Sequence, residues 1–332
     1  LQVLDLLMKD QQTQQGVFRP GEYWRPYTDR INYYIRKDGL SAFRAHEGIG
    51  KGYTDTVTKD PFVSLPLKSK TQMLRRAVRY VPLLDRYIIG QYQKLIEKYL
   101  RRVTELEGKY LLAENQNLIQ KYEDVLSTID SVAGDAQQYI DYKGQKIAFS
   151  YVEVLKRIEN VSAAVDLSSK SSFMEVGGGF GANTHTMLTM FPNIKTCIYV
   201  DLPPMLHVAT EYLRHHFGDR LMDYAEFKKQ QEAGKVDIEG RILCIPPWAL
   251  EGLSQPIDLF WNSCAFQEMD SGQISYYGRW VAENAVQGKA DILAVFYPFN
   301  TDERSEKRSL ALLSAEGMEF KILPEKDKSC AD

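Results

Sequence analysis

Apolar and polar positions along the chain follow two different periods, and the change comes near residue 170. Upstream, Leu84, Ile88, Tyr92, Leu95, Ile96, Tyr99 and Val103 recur at i, i+3, i+4 spacing, with Lys, Gln and Glu between them. Leu106, Tyr110, Leu118, Tyr122, Val125 and Ile129 repeat the pattern. This period predicts long amphipathic helices over 69–132, with Pro82 breaking or starting one. Val152, Leu155, Ile158, Val161 and Val165 mark another helix, which leads into the change of pattern. Such stripes are core or subunit contact before they are anything chemical. From 173 onward, short apolar runs bounded by turn residues alternate with helical stretches. Strands are expected near 173–176, 197–201, 241–245, 257–262 and 291–297, with a last one over 318–323. Helices are expected near 181–191, 204–216, 272–287 and 303–315. That alternation implies a parallel sheet with helices on both faces.

The first 67 residues carry a weaker pattern. Leu1 to Met8 reads as a short helix, 16–27 as an aromatic-rich loop containing Pro20, Gly21 and Pro26, and 30–46 as a helix interrupted at Gly39. Gly48, Gly50 and Gly52 then make a flexible turn near His46 and Tyr53. The plain reading is an arm packed on the body; the sharper one is a lid over a binding site. The chain thus divides into 1–150, a mostly helical part serving as a cover or for oligomerisation, and 151–332, an α/β part.

Composition narrows the classes. A hydrophobic share of 44%, a charged share of 26% and a formal charge of −3 are those of an ordinary globular protein, with no electrostatic case for nucleic acid or an anionic membrane. No apolar run approaches the ~20 residues needed to cross a bilayer. The chain starts at Leu1, so a targeting segment is left open, and nothing in it reads as a signal peptide. Cys197, Cys244, Cys264 and Cys330 are far apart and form no metal or disulfide pattern, which suits a cytoplasmic setting. No metal site is expected, since Asp258 begins a strand and should lie far from Glu268 and Asp270.

The chemistry concentrates in 173–202. Phe173, Met174 and Val176 flank Glu175 in a buried-strand run; Gly177, Gly178, Gly179 and Gly181 follow, then a helix, then Ile198 to Val200 and Asp201. Glycines let a ligand approach the backbone, and the following helix aims N–H groups at it. Asp201, with Leu202 after it, stands where a carboxylate accepts hydrogen bonds from a ribose diol. The spacing also satisfies a dinucleotide fingerprint. Glu175 argues against that reading: a diphosphate disfavours an anion there, whereas an ammonium and a sulfonium favour one.

The run Glu-Val-Gly-Gly-Gly-Phe-Gly-Ala, continuing to Val-Asp-Leu-Pro-Pro, resembles the first two motifs of class I S-adenosylmethionine-dependent methyltransferases, especially small-molecule O-methyltransferases. The run Ser-x-x-Phe-Gln-Glu-Met from Ser263, Tyr276 or Tyr277, and Phe296-Tyr297-Pro298-Phe299-Asn300 resemble the narrower sugar O-methyltransferase family. The likeness covers about 170–323, half the chain. It implies a Rossmann-like class I methyltransferase sheet, S-adenosyl-L-methionine as cofactor, and transfer of a methyl group to a sugar hydroxyl. That fold closes with an antiparallel hairpin, and here the chain ends soon after its first strand. Ile245, then Pro246 and Trp248, falls at the adenine end, and Asn262 and Ser263 at the sulfonium end. In the family the general base comes from the turn after the fourth strand, which puts Glu268 in that role. His185, four residues past Gly181, is a second candidate, against its plainer reading as a helix-face residue. His207, His215 and His216 are expected at the surface. A homodimer follows by analogy alone. The rival readings are methylation of a phenolic or polyketide hydroxyl, a nicotinamide-dependent oxidoreductase, and a non-catalytic binding protein.

Overall fold

The computed structural model describes residues 1–21, 24–45, 82–295 and 303–317. The chain divides into two compact units, Leu1–Leu40 with Glu153–Asp332, and Ser41–Val152. One break falls between Val152 and Glu153, some twenty residues before the change of period. The amino-terminal forty residues, however, group with the α/β unit rather than with the helical one.

In the smaller unit the long helix α3, Pro82–Lys121, is followed by α4, Glu123–Thr128, and a hairpin of β1, Tyr139–Tyr142, with β2, Gln145–Ala148. Pro82 starts its helix, as fits a residue lacking the N–H that an amino-terminal turn leaves unbonded anyway. The hairpin was not legible in the sequence, because four-residue strands are too short for a period. Arg44, fully buried, satisfies this unit's interior carbonyls: it donates to Ser131 O at 2.6 Å and Ala133 O at 3.1 Å.

In the larger unit α1, Gln2–Thr13, and α2, Arg25–Asp38, precede α5, Phe149–Ser162, which crosses the unit boundary. Gly39, with a φ of 73°, ends α2. Six strands then form a sheet: β3 Ser172–Val176, β4 Thr196–Val200, β5 Leu221–Met222, β6 Ile242–Ile245, β7 Leu259–Ser263 and β8 Asp291–Val295. The order is β5-β6-β4-β3-β7-β8, and every described pair is parallel. β3 is central, with Glu175 level with Tyr199 on β4 and Trp261 on β7. β3, β4 and β6 are buried at every position, the mark of a parallel sheet covered on both faces. This is a doubly wound, Rossmann-like parallel sheet, with the strand order reversing beside β3.

Helices α6, Ala182–Met190, α7, Pro203–Phe217, α8, Tyr224–Glu232, α9, Ser271–Asn284, and α10, Glu303–Ala315, connect and cover the strands. α1 and α2 pack on α7, and α10 on α9. His207 is therefore buried at 3% exposure beneath the amino-terminal helices, not at the surface as expected. β5 and α8 were missed in the sequence, being a two-residue strand and a short, mostly polar helix. The expected strand 318–323, the run Phe296–Asn300, the glycine turn at 48–52 and the helical stretch before Pro82 lie outside the described residues. Among the described residues no helix is long and apolar enough to cross a membrane.

Candidate functional site

The site is built where β3 and β4 end. Gly177, with φ +72°, donates its N–H to Val200 O at 2.8 Å, so the turn peels off the sheet directly beside β4. A Cβ on Gly177 would stand 2.4 Å from the Ala265 Cβ, and one on Gly178 would stand 2.6 Å from Glu175 Cδ and 2.7 Å from Tyr199 Cε2. The turn is thus pressed against side chains from beneath, and glycine alone fits. Gly181, at φ +97°, opens α6 without a side-chain cap, which leaves that helix end to whatever binds there.

Asp201 closes the other side. Its Oδ2 accepts from the Gly179 N–H at 3.1 Å and the Tyr199 hydroxyl at 3.3 Å; its Oδ1 accepts from the Leu202 N–H at 2.7 Å. A carboxylate offers about four acceptor positions, so one remains for a ligand hydroxyl. Burial raises its pKa to about 7, against the pull of the Leu202 and Gly179 N–H groups. The single Tyr199 hydroxyl proton points chiefly to the nearer Gly179 O, at 2.6 Å, and is shared with Asp201, locking the glycine turn to β4.

Glu175 is fully buried under the turn. It accepts from Asn183 Nδ2 at 2.9 Å and from the Thr184 hydroxyl. Burial pushes its pKa up to about 6, opposed by those two bonds and by the charge of Arg157. Glu175 thus lies beneath the glycine turn, with its carboxylate held by the first turn of α6. Asn183, 4% exposed, keeps a buried Oδ1 with no partner. An acceptor-rich lining of this kind fits a cationic group and disfavours an anion. Asn183 and Thr184 were missed in the sequence. Their only signal was being amide and hydroxyl residues in the first turn after the glycines.

At β7 the polar positions are engaged within the protein. Asn262, fully buried, donates to Val176 O at 3.0 Å and accepts from Phe266 N–H at 3.0 Å, which ties the end of β3 to the turn Ala265–Glu268. Ser263 accepts from Trp261 Nε1 at 2.6 Å. Cys264 starts the turn at φ +66°. Glu268 sits in it half-buried. Ile245 is fully buried at the end of β6, and Trp248 beyond it donates to the Tyr224 hydroxyl at 3.0 Å.

His185 faces α7 instead. Its Nδ1 lies 2.7 Å from the Tyr212 hydroxyl, and its ring stacks on His216 with centroids 4.0 Å apart. Burial, then the neighbouring His216 and His215, depress its pKa to about 3. The ring is thus packed between helices and held neutral; Glu268, the other candidate base, lies on the turn that follows β7. Asp258 binds the Ser171 and Ser172 N–H groups at 2.8 and 3.0 Å, at the opposite end of β3, as its remoteness from Glu268 required.

Residues 142–227 match the model of the O-methyltransferase domain family. That segment carries the glycine turn and Asp201. No curated protein matches the chain in sequence. Solved structures similar to it include the mitomycin 7-O-methyltransferase MmcR, at 16% identity and a TM-score of 0.31, over 49% of this chain and 41% of that one. Human N-acetylserotonin methyltransferase, solved in complex with S-adenosylmethionine, is 17% identical at a TM-score of 0.33, over 51% of this chain and 48% of that one. The pyocyanin biosynthetic protein PhzM is 16% identical at 0.30, over 50% and 46%. The chain thus spans less than half the length of these structures.

Proposed function

We propose that the protein transfers a methyl group from S-adenosylmethionine to a hydroxyl oxygen of a small molecule. The observation that carries the reading is the pairing of a side-chain-free turn with two carboxylates, Glu175 beneath it and Asp201 beside it. The O-methyltransferase domain matched over 142–227 supports it independently. Gly177, Gly178, Gly179 and Gly181 would admit the donor's amino-acid end close to backbone. Asp201, with Leu202 behind it, would accept from the ribose, and Ile245 and Trp248 would border the adenine. When bound, the donor supplies an electrophilic methyl carbon on a sulfonium.

What the chain's own residues do is bind, orient and move a proton. Asn262 fixes the β7 turn against the end of β3, so a group carried on that turn keeps its distance from the glycines. Glu268 on that turn takes the proton of the acceptor hydroxyl as its oxygen attacks. A positioned base is worth ~10²–10⁴-fold in such a step.

The acceptor is proposed to be a sugar or a glycosylated small molecule, on the likeness of 263–269 to sugar O-methyltransferases. A phenolic or polyketide hydroxyl fits the coarser family equally well. The helical unit is proposed to serve self-association. Calorimetric titration with S-adenosylmethionine and with NAD, followed by labelled methyl transfer to a panel of nucleotide-linked sugars and phenols, tests the reading. Donor binding without NAD binding is expected, with turnover of a panel member. Glu268→Gln should lower turnover by about 10²–10⁴-fold and keep donor affinity. NAD binding, or no methyl transfer to any member, sinks it.

A further inference from the structure

The amino-terminal segment is fastened to the carboxyl-end turns of the sheet at three points. Gln273, 9% exposed, uses its whole amide: Nε2 donates to Val17 O and Arg19 O, each at 3.1 Å, while Oε1 accepts from the Asp270 N–H at 3.1 Å. The last bond belongs to a capping box that starts α9. Phe18 meets Tyr276 edge-on with centroids 5.1 Å apart, and the Tyr276 hydroxyl reaches Pro247 O at 3.4 Å. Asp10 accepts from Tyr224 and Lys228, both at 2.9 Å, and Tyr224 in turn holds Trp248.

The approach is close. A Cβ on Gly21 would lie 3.7 Å from both the Glu268 carbonyl oxygen and Gln273 Oε1, and one on Gly272 would lie 3.1 Å from Val17 Cγ1. The chain at 16–21 therefore runs against the turn bearing Glu268, from outside the sheet. On the reading that Glu268 is the base, an acceptor bound at this turn would meet the segment that lies against the turn's backbone. The segment offers the half-buried ring of Phe18, and its carbonyls at Val17 and Arg19 are already engaged by Gln273.

We propose that Gly16–Gly21 is the acceptor-facing wall of the site, and that Gln273 is the positioning residue holding this wall at a set distance from Glu268. The proposal rests on the methyl-transfer reading above, and it deepens that reading by assigning acceptor affinity to a segment nearly 250 residues away in sequence. Gln273 sets how well a ring-bearing acceptor is held and leaves the donor untouched.

Gln273→Glu separates this role from a merely structural one. A Glu still accepts from the Asp270 N–H, so α9 stays capped, but both donors to the wall are gone. Whichever panel member the parent methylates serves as acceptor. The acceptor KM should rise about tenfold or more, with kcat and the donor Kd within about twofold. Amide hydrogen exchange at 16–21 should quicken about tenfold or more while α9 stays protected. Phe18→Ala, at a half-buried position, should raise the acceptor KM in the same direction. Unchanged acceptor KM in both variants overturns the proposal, and so does a KM rise matched by loss of donor affinity and of α9 protection. A parent that binds no S-adenosylmethionine, or methylates nothing, fails at the earlier step and overturns the functional reading, and this proposal with it.

Discussion

At Gly178 the site's tolerance is set by a single hydrogen. The position has no unusual backbone angle, yet a methyl group there would meet Glu175 and Tyr199 at 2.6–2.8 Å. Both neighbours are fully buried and hydrogen-bonded, so neither can step aside without loss. Gly178→Ala should cost about 1–3 kcal/mol of stability by overpacking and weaken the donor by more than tenfold. Chemical denaturation and calorimetry check the two effects, and a variant with parental values for both would show that the turn yields. A run of glycines can be read from sequence as a backbone that a ligand approaches. That the forbidden side of this turn faces Glu175 could not be read, because it depends on which way a side chain points off a buried strand.

At the scale of elements, α3 presents an uncovered apolar stripe. Tyr99, Leu106 and Tyr110 are 60%, 65% and 55% exposed, and at 100° per residue they share an arc of about 40°. The helical period predicted this stripe, and it named core or subunit contact as its purpose. Within its own unit the stripe at these positions remains in contact with solvent. Replacing Tyr99, Leu106 and Tyr110 together by Lys should shift the protein to monomer in sedimentation, leaving helix content unchanged by circular dichroism. Monomeric parent protein at tens of micromolar would remove the stripe from consideration as a self-association surface.

For the whole molecule, two raised carboxylates set a pH dependence. Glu175, at about 6, and Asp201, at about 7, bind protons more tightly folded than unfolded. Their contribution to stability is fully present below the unfolded carboxylate pKa, near 4, and is lost as pH rises through 6 and 7. For Glu175 this amounts to roughly 2 kcal/mol. The ligand-free protein should thus gain stability, through these two groups, as pH falls from 8 to 5. On the proposed reading, a cationic donor has the opposite preference, since ionised carboxylates beneath and beside the turn favour its positive charge. Donor affinity should tighten from pH 5.5 to 7.5, and the thermal shift it produces should grow with it. Replacing Glu175 by Gln should flatten the lower part of both curves. A ligand-free stability that climbs from pH 5 to 8, and does so equally in Glu175→Gln, would mean that the burial of this carboxylate carries no such term.

Much of the α/β half was determined by local pattern alone. Strands β3, β4, β6, β7 and β8, the glycine turn and Asp201 all follow from apolar runs and turn residues a few positions apart, which is the range over which backbone geometry acts. Tertiary structure decided the rest, because each remaining fact joins residues distant in the chain. It buried Glu175 under α6 side chains, turned His185 towards α7 and covered His207 with α1 and α2. It also carried the amino terminus across to Gln273, whose capping role is legible from Asp270 three residues earlier, but whose two donors to Val17 and Arg19 span more than 250 positions. Hydrogen-bond partners at such separation leave no periodicity behind, and only the folded chain brings them within 3 Å or so of one another.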